Sequence, residues 1–469
     1  MLPASPQRIR NVRPGIGRRV AWMFLAATAL RAQDGTSSSP SLALTPATRL
    51  EQVNTRAQWV TYRGMQALHL APLPGQEQAT DQEMWAVITG SQFTDGIIEV
   101  DVAGARRAGY ATDNASAFKG FVGISFRVRG DSAERFYVRP ENARLDDQLF
   151  RNRTTQYEAP PQAPWQLLRR DTPGVYESYA DMEPGAWTHL RIVVRGHTAR
   201  LYVNGAMQPA LVVTDLKHGT SRGAIALWTR ISADAYFANL RVSPLPVTPD
   251  RAGAASAPPV IAPVAGPLPA IRDVVNGRVV STTFRGRPAL HLIVDPAKAR
   301  TDEAIYALID GPPFVDGRID LTLAGRPRAD APADSRGFVG ISFRTGPHAE
   351  WSEVFYLRPL NARVDDQLRR NRTLQYASDP AFPWHLLREE SPGVYESYAD
   401  IEPDTWIALR IEVDGTRARL FVNGASQPSL VVNDLKHGTS GGQVALWAHV
   451  ETDAYFGPVK ITPPAASRP

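Results

Sequence analysis

The sequence predicts an all-β chain of two tandem antiparallel two-sheet sandwiches, and three observations carry that prediction. Residues 136–237 align with 355–456 without a gap, and 67 of the 102 positions are identical. The apolar residues come in short runs rich in Val, Ile and aromatic side chains, the pattern of strands rather than helices. Thirty-five glycines and 39 prolines supply the turns that many short strands need, and no long amphipathic helix competes.

The 469 residues divide in order as follows. Residues 1–32 read as a signal peptide: six arginines and no Asp or Glu, then Val20–Leu30, apolar except for Thr28, then the small residues at Ala29 and Ala32. An apolar run of that length falls short of a bilayer span, so export and cleavage fit better than an uncleaved anchor. Arg18-Arg19 sits in a poor twin-arginine context, which leaves the general secretory route. Residues 33–49 are a Ser/Pro-bearing linker, 50–243 the first domain, 271–463 the second and 464–469 a tail. Between the domains, residues 244–270 carry eight prolines among Ala, Val and Gly, a semi-rigid spacer expected to hold the domains apart. Each unit is far longer than a solenoid repeat and should own a core.

Charge and composition remove several function classes. The formal charge of +5 comes from the first 32 residues; without their six arginines the chain is close to −1, which disfavours a basic nucleic-acid groove. The absence of cysteine excludes disulfides, thiolate metal sites and cysteine nucleophiles. Gly-x-Ser-x-Gly elbows, phosphate loops and dinucleotide fingerprints are missing too.

Within a unit, Ile97–Val102 and Phe121–Arg127 read as strands, and Leu190–Val194, Arg195-Gly196, Ala199–Val203 and Asn204-Gly205 as a hairpin closed by a second tight turn. Trp187 with Leu190–Val194, Ala199–Gly205 and Gly223–Trp228, repeated as Trp406, Leu409–Val413, Ala418–Gly424 and Gly442–Trp447, resembles the C-terminal half of concanavalin A-like lectin/glucanase domains, laminin-G-like bacterial ones above all. The resemblance implies a jelly roll whose concave face and edge loops meet carbohydrate. Fold-level similarity to bacterial 3-keto-glycoside hydrolases is also open. The Glu-x-Asp-x-x-Glu strand of laminarinase-like members is missing: Glu99-Val100-Asp101 lacks a later Glu, and Asp320-Leu321-Thr322 lacks the first pairing.

Polar residues shared by both copies outside strands are the best candidates for chemistry, because packing does not demand them. Arg139, Asn142, Arg144, Asp146, Asp147, Gln148, Arg153 and Trp165 are matched by Arg358, Asn361, Arg363, Asp365, Asp366, Gln367, Arg372 and Trp384. Paired donors and acceptors bridge adjacent sugar hydroxyls, and an aromatic ring covers the C–H face, so these residues form a saccharide-site candidate. The competing reading is a loop pinned to its own sandwich by Arg–carboxylate pairs. Trp187 and Trp228, inside strand patterns, are expected to pack in the core. Asp146-Asp147 with Asn142 give a weak calcium candidate, and His218 and His437 lack a partner for zinc. Asn152-Arg153-Thr154 and Asn371-Arg372-Thr373 match the glycosylation sequon.

The resulting expectation is an exported, monomeric, non-catalytic glycan-binding protein, secreted or held in a bacterial periplasm or envelope, with no nucleic-acid partner, no cofactor and no membrane span after the signal. Two sites on one polymer would add avidity. The alternative is a glycoside hydrolase or lyase, with Glu177 and Glu396 as the catalytic candidates.

Overall fold

The computed structural model describes residues 42–80, 82–111, 119–246 and 264–464. The signal peptide, most of the first linker, the centre of the second and the last five residues lie outside the described residues. Among the described residues no helix is long and apolar enough to cross a membrane.

The first sandwich pairs two antiparallel sheets. Sheet A runs Leu211–Val213, Thr198–Val203, Thr188–Arg195, Gly96–Arg106, Ala233–Ser243, Met65–Pro72, Thr55–Tyr62, with Leu42–Ala43 also on Ala233–Ser243. Sheet B runs Glu177–Ser178, Thr155–Glu158, Ser132–Val138, Val122–Arg129, Ala224–Arg230, Glu83–Ile88, Leu50–Val53. The second sandwich repeats the order. Sheet A′ runs from Leu430–Val432 to Gly277–Phe284, and sheet B′ from Glu396–Ser397 to Ile271–Val275. Strands adjacent in sequence often sit in opposite sheets, as the jelly-roll expectation requires.

The alternation seen in the sequence decides which side chains meet between the sheets. Ile98, Val100, Leu190 and Ile192 of sheet A face Ile124, Phe126, Phe136 and Leu227 of sheet B, all fully buried. The expected hairpin is present: Arg195 pairs with Thr198 around Gly196-His197. Asn204 and Gly205 both take positive φ, 52° and 71°. Among the described residues four short α-helices interrupt the strands: α1 (Gln148–Arg151) and α2 (Trp165–Asp171) in the first sandwich, α3 (Gln367–Arg370) and α4 (Trp384–Glu390) in the second. Asp147 and Asp366 cap α1 and α3, accepting from the backbone N–H of Phe150 and Arg369 at 3.1 Å each.

The two sandwiches lie within one compact unit, and the expectation that the proline-rich linker keeps them apart is overturned. They dock through the loop and helix that precede the strands Thr155–Glu158 and Leu374–Asp379, and the principal contacts occur twice with the roles exchanged. Gln148 Oε1 accepts from Val431 N at 2.8 Å, and Gln367 Oε1 from Val212 N at 2.7 Å. Arg151 donates to the carbonyl of Pro428, and Arg370 to that of Pro209. At the rim Arg200 meets Asp365 at 2.7 Å and Arg419 meets Asp146 at 3.1 Å. Val212 and Val431 lie on edge strands, whose open N–H groups need such partners. A repeated sequence closed by a self-complementary patch is an isologous interface, here within one chain. The linker misled because stiffness governs reach, not whether two complementary surfaces pair.

Candidate functional site

Arg139 leaves the end of strand Ser132–Val138 and turns back along the outer face of sheet B, where its buried guanidinium holds three acceptors. They are Arg153 O at 2.8 Å, the Tyr137 hydroxyl at 2.8 Å and Gln156 Oε1 at 3.2 Å. Arg169 of α2 adds a second guanidinium to Gln156 Oε1 at 3.2 Å and grips Glu177 Oε2 at 2.6 Å. Arg153 meets the other oxygen of Glu177 at 3.3 Å. The Trp165 ring lies over this group, 4.5 Å from Arg169 and 5.9 Å from Arg139. The second sandwich rebuilds the cluster: Arg358, Arg388 and Arg372 around Gln375 and Glu396, with Trp384 4.6 Å from Arg388 and 5.7 Å from Arg358. Trp384 is 43% exposed, a large apolar ring offered to solvent above three guanidiniums and one carboxylate.

The other singled-out residues do different work. Asn142 and Asn361 donate to Arg153 O and Arg372 O at 3.3 Å, shaping the loop. Arg144 pairs with Asp181 and Glu183 at 2.7 Å, and Arg363 with Glu402 at 2.6 Å. Asp147 and Asp366 are the helix caps, and Asp146, Asp365, Gln148 and Gln367 belong to the junction. The structure therefore brings Arg139, Arg153 and Trp165, with their counterparts, to one place and distributes the rest. Among the described residues no group of three or more His, Asp or Glu is arranged to hold a metal ion.

The Asp-Leu-Lys-His-Gly segment at 215–219, repeated at 434–438, closes over a buried carboxylate. His218 N donates to Glu134 Oε1 at 2.8 Å and the Tyr157 hydroxyl to Glu134 Oε2 at 2.5 Å; His437, Tyr376 and Glu353 repeat this at 2.7 and 2.5 Å. Burial pushes the Glu353 carboxyl above its usual range, against the pull of those donors. A raised folded-state value means that the stabilisation is full below the ordinary carboxylate range and is lost as pH rises through the raised value. Glu353→Gln is expected to flatten that leg of the stability–pH curve, measured by urea unfolding between pH 4 and 8. A slope unchanged by the substitution would contradict it.

Sheet B carries a second cluster on the face away from the core, which reasoning from shared positions misses. Arg135 is buried between the rings of Trp85 and Trp228, 4.5 and 4.3 Å from their centroids. It binds Glu83 through two nitrogens at 3.1 and 3.0 Å and Glu158 at 2.6 Å. Burial would raise the Glu83 carboxyl, but the Arg135 guanidinium outweighs it and holds it below its usual range. In the second sandwich Val354, Ala304, Ala377 and Tyr306 occupy the corresponding places. Trp228 is fully buried, yet it lies on this outer face instead of between the sheets, packing on Tyr137 at 4.9 Å. The alternation of Ile225 and Leu227 inward with Trp228 outward was the available signal.

The model of the 3-keto-alpha-glucoside-1,2-lyase-like domain matches residues 50–243. No curated protein matches the chain. Among solved structures, carbohydrate-binding module CBM66 from Bacillus subtilis is similar at 14% identity and a TM-score of 0.26, over 41% of this chain and 95% of that one. Domain 4 of the Geobacillus stearothermophilus GH43 arabinanase AbnA, solved with arabinotriose, shows 13% identity and a TM-score of 0.27, over 43% and 85%. Bacillus licheniformis β-glucanase shows 10% identity and a TM-score of 0.27, over 45% and 100%.

Proposed function

We propose that the chain is an exported glycan-binding protein whose two sandwiches each bind a saccharide at the Trp165 and Trp384 clusters. The observation that carries this reading is the half-exposed Trp384 ring standing beside the partly exposed Arg388, which with the partly exposed Arg372 grips the buried Glu396, an arrangement built again at Trp165. An aromatic face covers sugar C–H groups, and the polar network bridges hydroxyls. Three guanidiniums against one carboxylate favour a glycan bearing acidic groups over a neutral one. The test is calorimetry of the full chain against neutral and uronate-bearing polysaccharides. Trp384→Ala and Trp165→Ala are each expected to weaken binding about tenfold to a hundredfold, and the pair to abolish it. A folded chain that binds none of the panel would end the proposal.

A second reading is favoured by the domain match and by the Glu83–Arg135–Glu158 cluster, both confined to residues 50–243: the first sandwich cleaves a 3-keto-α-glucoside. The C3 ketone acidifies the C2–H, and a base that takes that proton lets its electron pair form the C1–C2 double bond as the C1–O bond breaks and the aglycone leaves. Glu83, partly exposed beside Arg135, is the candidate base, and Arg135 lowers its basicity. Glu177 and Glu396, each gripped by two guanidiniums, suit charge–charge anchoring better than proton donation. Product release from such a glucoside, lost in Glu83→Gln, would move the assignment to catalysis.

A further inference from the structure

We infer that each sandwich completes the other's arginine–carboxylate cluster, so that the docked pair and not the single domain is the working unit. Asn371, just after α3, donates both amide hydrogens across the junction, to Gly174 O and Glu177 O at 2.7 Å each. Asn152, just after α1, does the same to Gly393 O at 2.8 Å and Glu396 O at 2.7 Å. The carbonyls so captured flank the turn that delivers Glu177 and Glu396 to their clusters.

Within its own sandwich the turn is tied through Tyr176 O, which accepts from Tyr157 N and Gln156 Nε2, and through Ser178 O, which accepts from the Thr154 and Thr155 hydroxyls, whereas Gly174 O and Glu177 O are taken up by the sibling. Glu177–Ser178 and Glu396–Ser397 are two-residue edge strands, each paired on one side only. The asparagine is itself oriented: Gln367 Nε2 and the Ser178 hydroxyl donate to Asn371 Oδ1 at 2.8 Å each, and Gln148 Nε2 donates to Asn152 Oδ1 at 2.8 Å. Leu368 packs on Gly174 and Leu149 on Gly393, where φ of +80° and +78° leaves glycine the fitting residue. Asn152 and Asn371 thus have no free amide hydrogen for a glycan, although both head a sequon. They are positioning residues, acting through the backbone of a carboxylate on the sibling domain.

The ligand rests on the reading given above, but the completion can be tested without one. Hydrogen–deuterium exchange of the full chain is expected to show a crossed pattern. Asn371→Ala should speed exchange in residues 174–178 about tenfold while leaving 393–397 protected, and Asn152→Ala should do the reverse. Asn371→Ser and Asn152→Ser, which keep one donor, should give the same pattern at smaller amplitude and remain informative should the alanine variants fail to fold. Loosening of a variant's own sandwich alone, equal loosening of both segments, or no change in either would overturn the inference. A crossed pattern in a chain that binds no polysaccharide would leave the completion standing and remove only the glycan.

Discussion

Arg370→Ala is expected to lower the unfolding free energy by about 3–5 kcal/mol, and Arg151→Ala by a similar amount. The Arg370 side chain is fully buried and donates to Ala362 O at 2.6 Å, Val364 O at 3.2 Å and the Tyr398 hydroxyl at 2.9 Å, besides the carbonyl of Pro209 in the other sandwich. Truncation strands several acceptors out of water and opens a cavity at the junction, and both effects point the same way. An unpartnered Nε in each arginine offsets a small part of the loss. Lysine should recover little, because one ammonium cannot span acceptors on both sides of the interface. Guanidinium chloride unfolding measures the effect; a loss below about 1 kcal/mol would show that the buried fork contributes little.

Gly340→Ala should be at least as damaging, by about 3 kcal/mol or more. Gly340 lies in the middle of sheet B′ between Tyr356 and Trp447, its neighbours on the two flanking strands. Their rings stack over it at 4.8 Å. A methyl group there would come within 2.7 Å of Tyr356 Cα and closer still to the carbonyl of Phe355, both backbone atoms that cannot swing away. Gly123 repeats the arrangement beneath Tyr137 and Trp228. Gly311, with open space around it, is the control, and its alanine variant should stay within about 0.5 kcal/mol of the parent. Equal melting temperatures for Gly340→Ala and the control would refute the steric account.

These two substitutions mark where sequence reasoning succeeds and where it stops. The strands and their hairpins were legible because burial on one face forces a period of two, which Leu190–Val194 and Ala199–Val203 keep. The loop around Asp146–Arg153 was visible as shared and polar, but two demands produce that signature alike. A ligand site and a self-complementary junction both preserve residues that packing within one domain does not need. Arg153 joins the cluster proposed to bind a saccharide and Gln148 the junction, although they stand five residues apart. Charge and polarity in the chain do not say which neighbour a side chain will meet. Arg135, Glu83 and Glu158 escaped for the opposite reason: the second copy lacks them, so a comparison of copies discards them.

The doubled junction bears on how freely the halves can diverge. In an assembly of two identical chains, a substitution at such a surface strikes both symmetry-related contacts at once. Here the copies are separate stretches of one polypeptide, so a change at Arg151 leaves the bond from Arg370 to Pro209 in place. Fusion therefore halves the penalty of each mutational step at the seam, and it leaves one outer face free to gain charge while its sibling turns apolar.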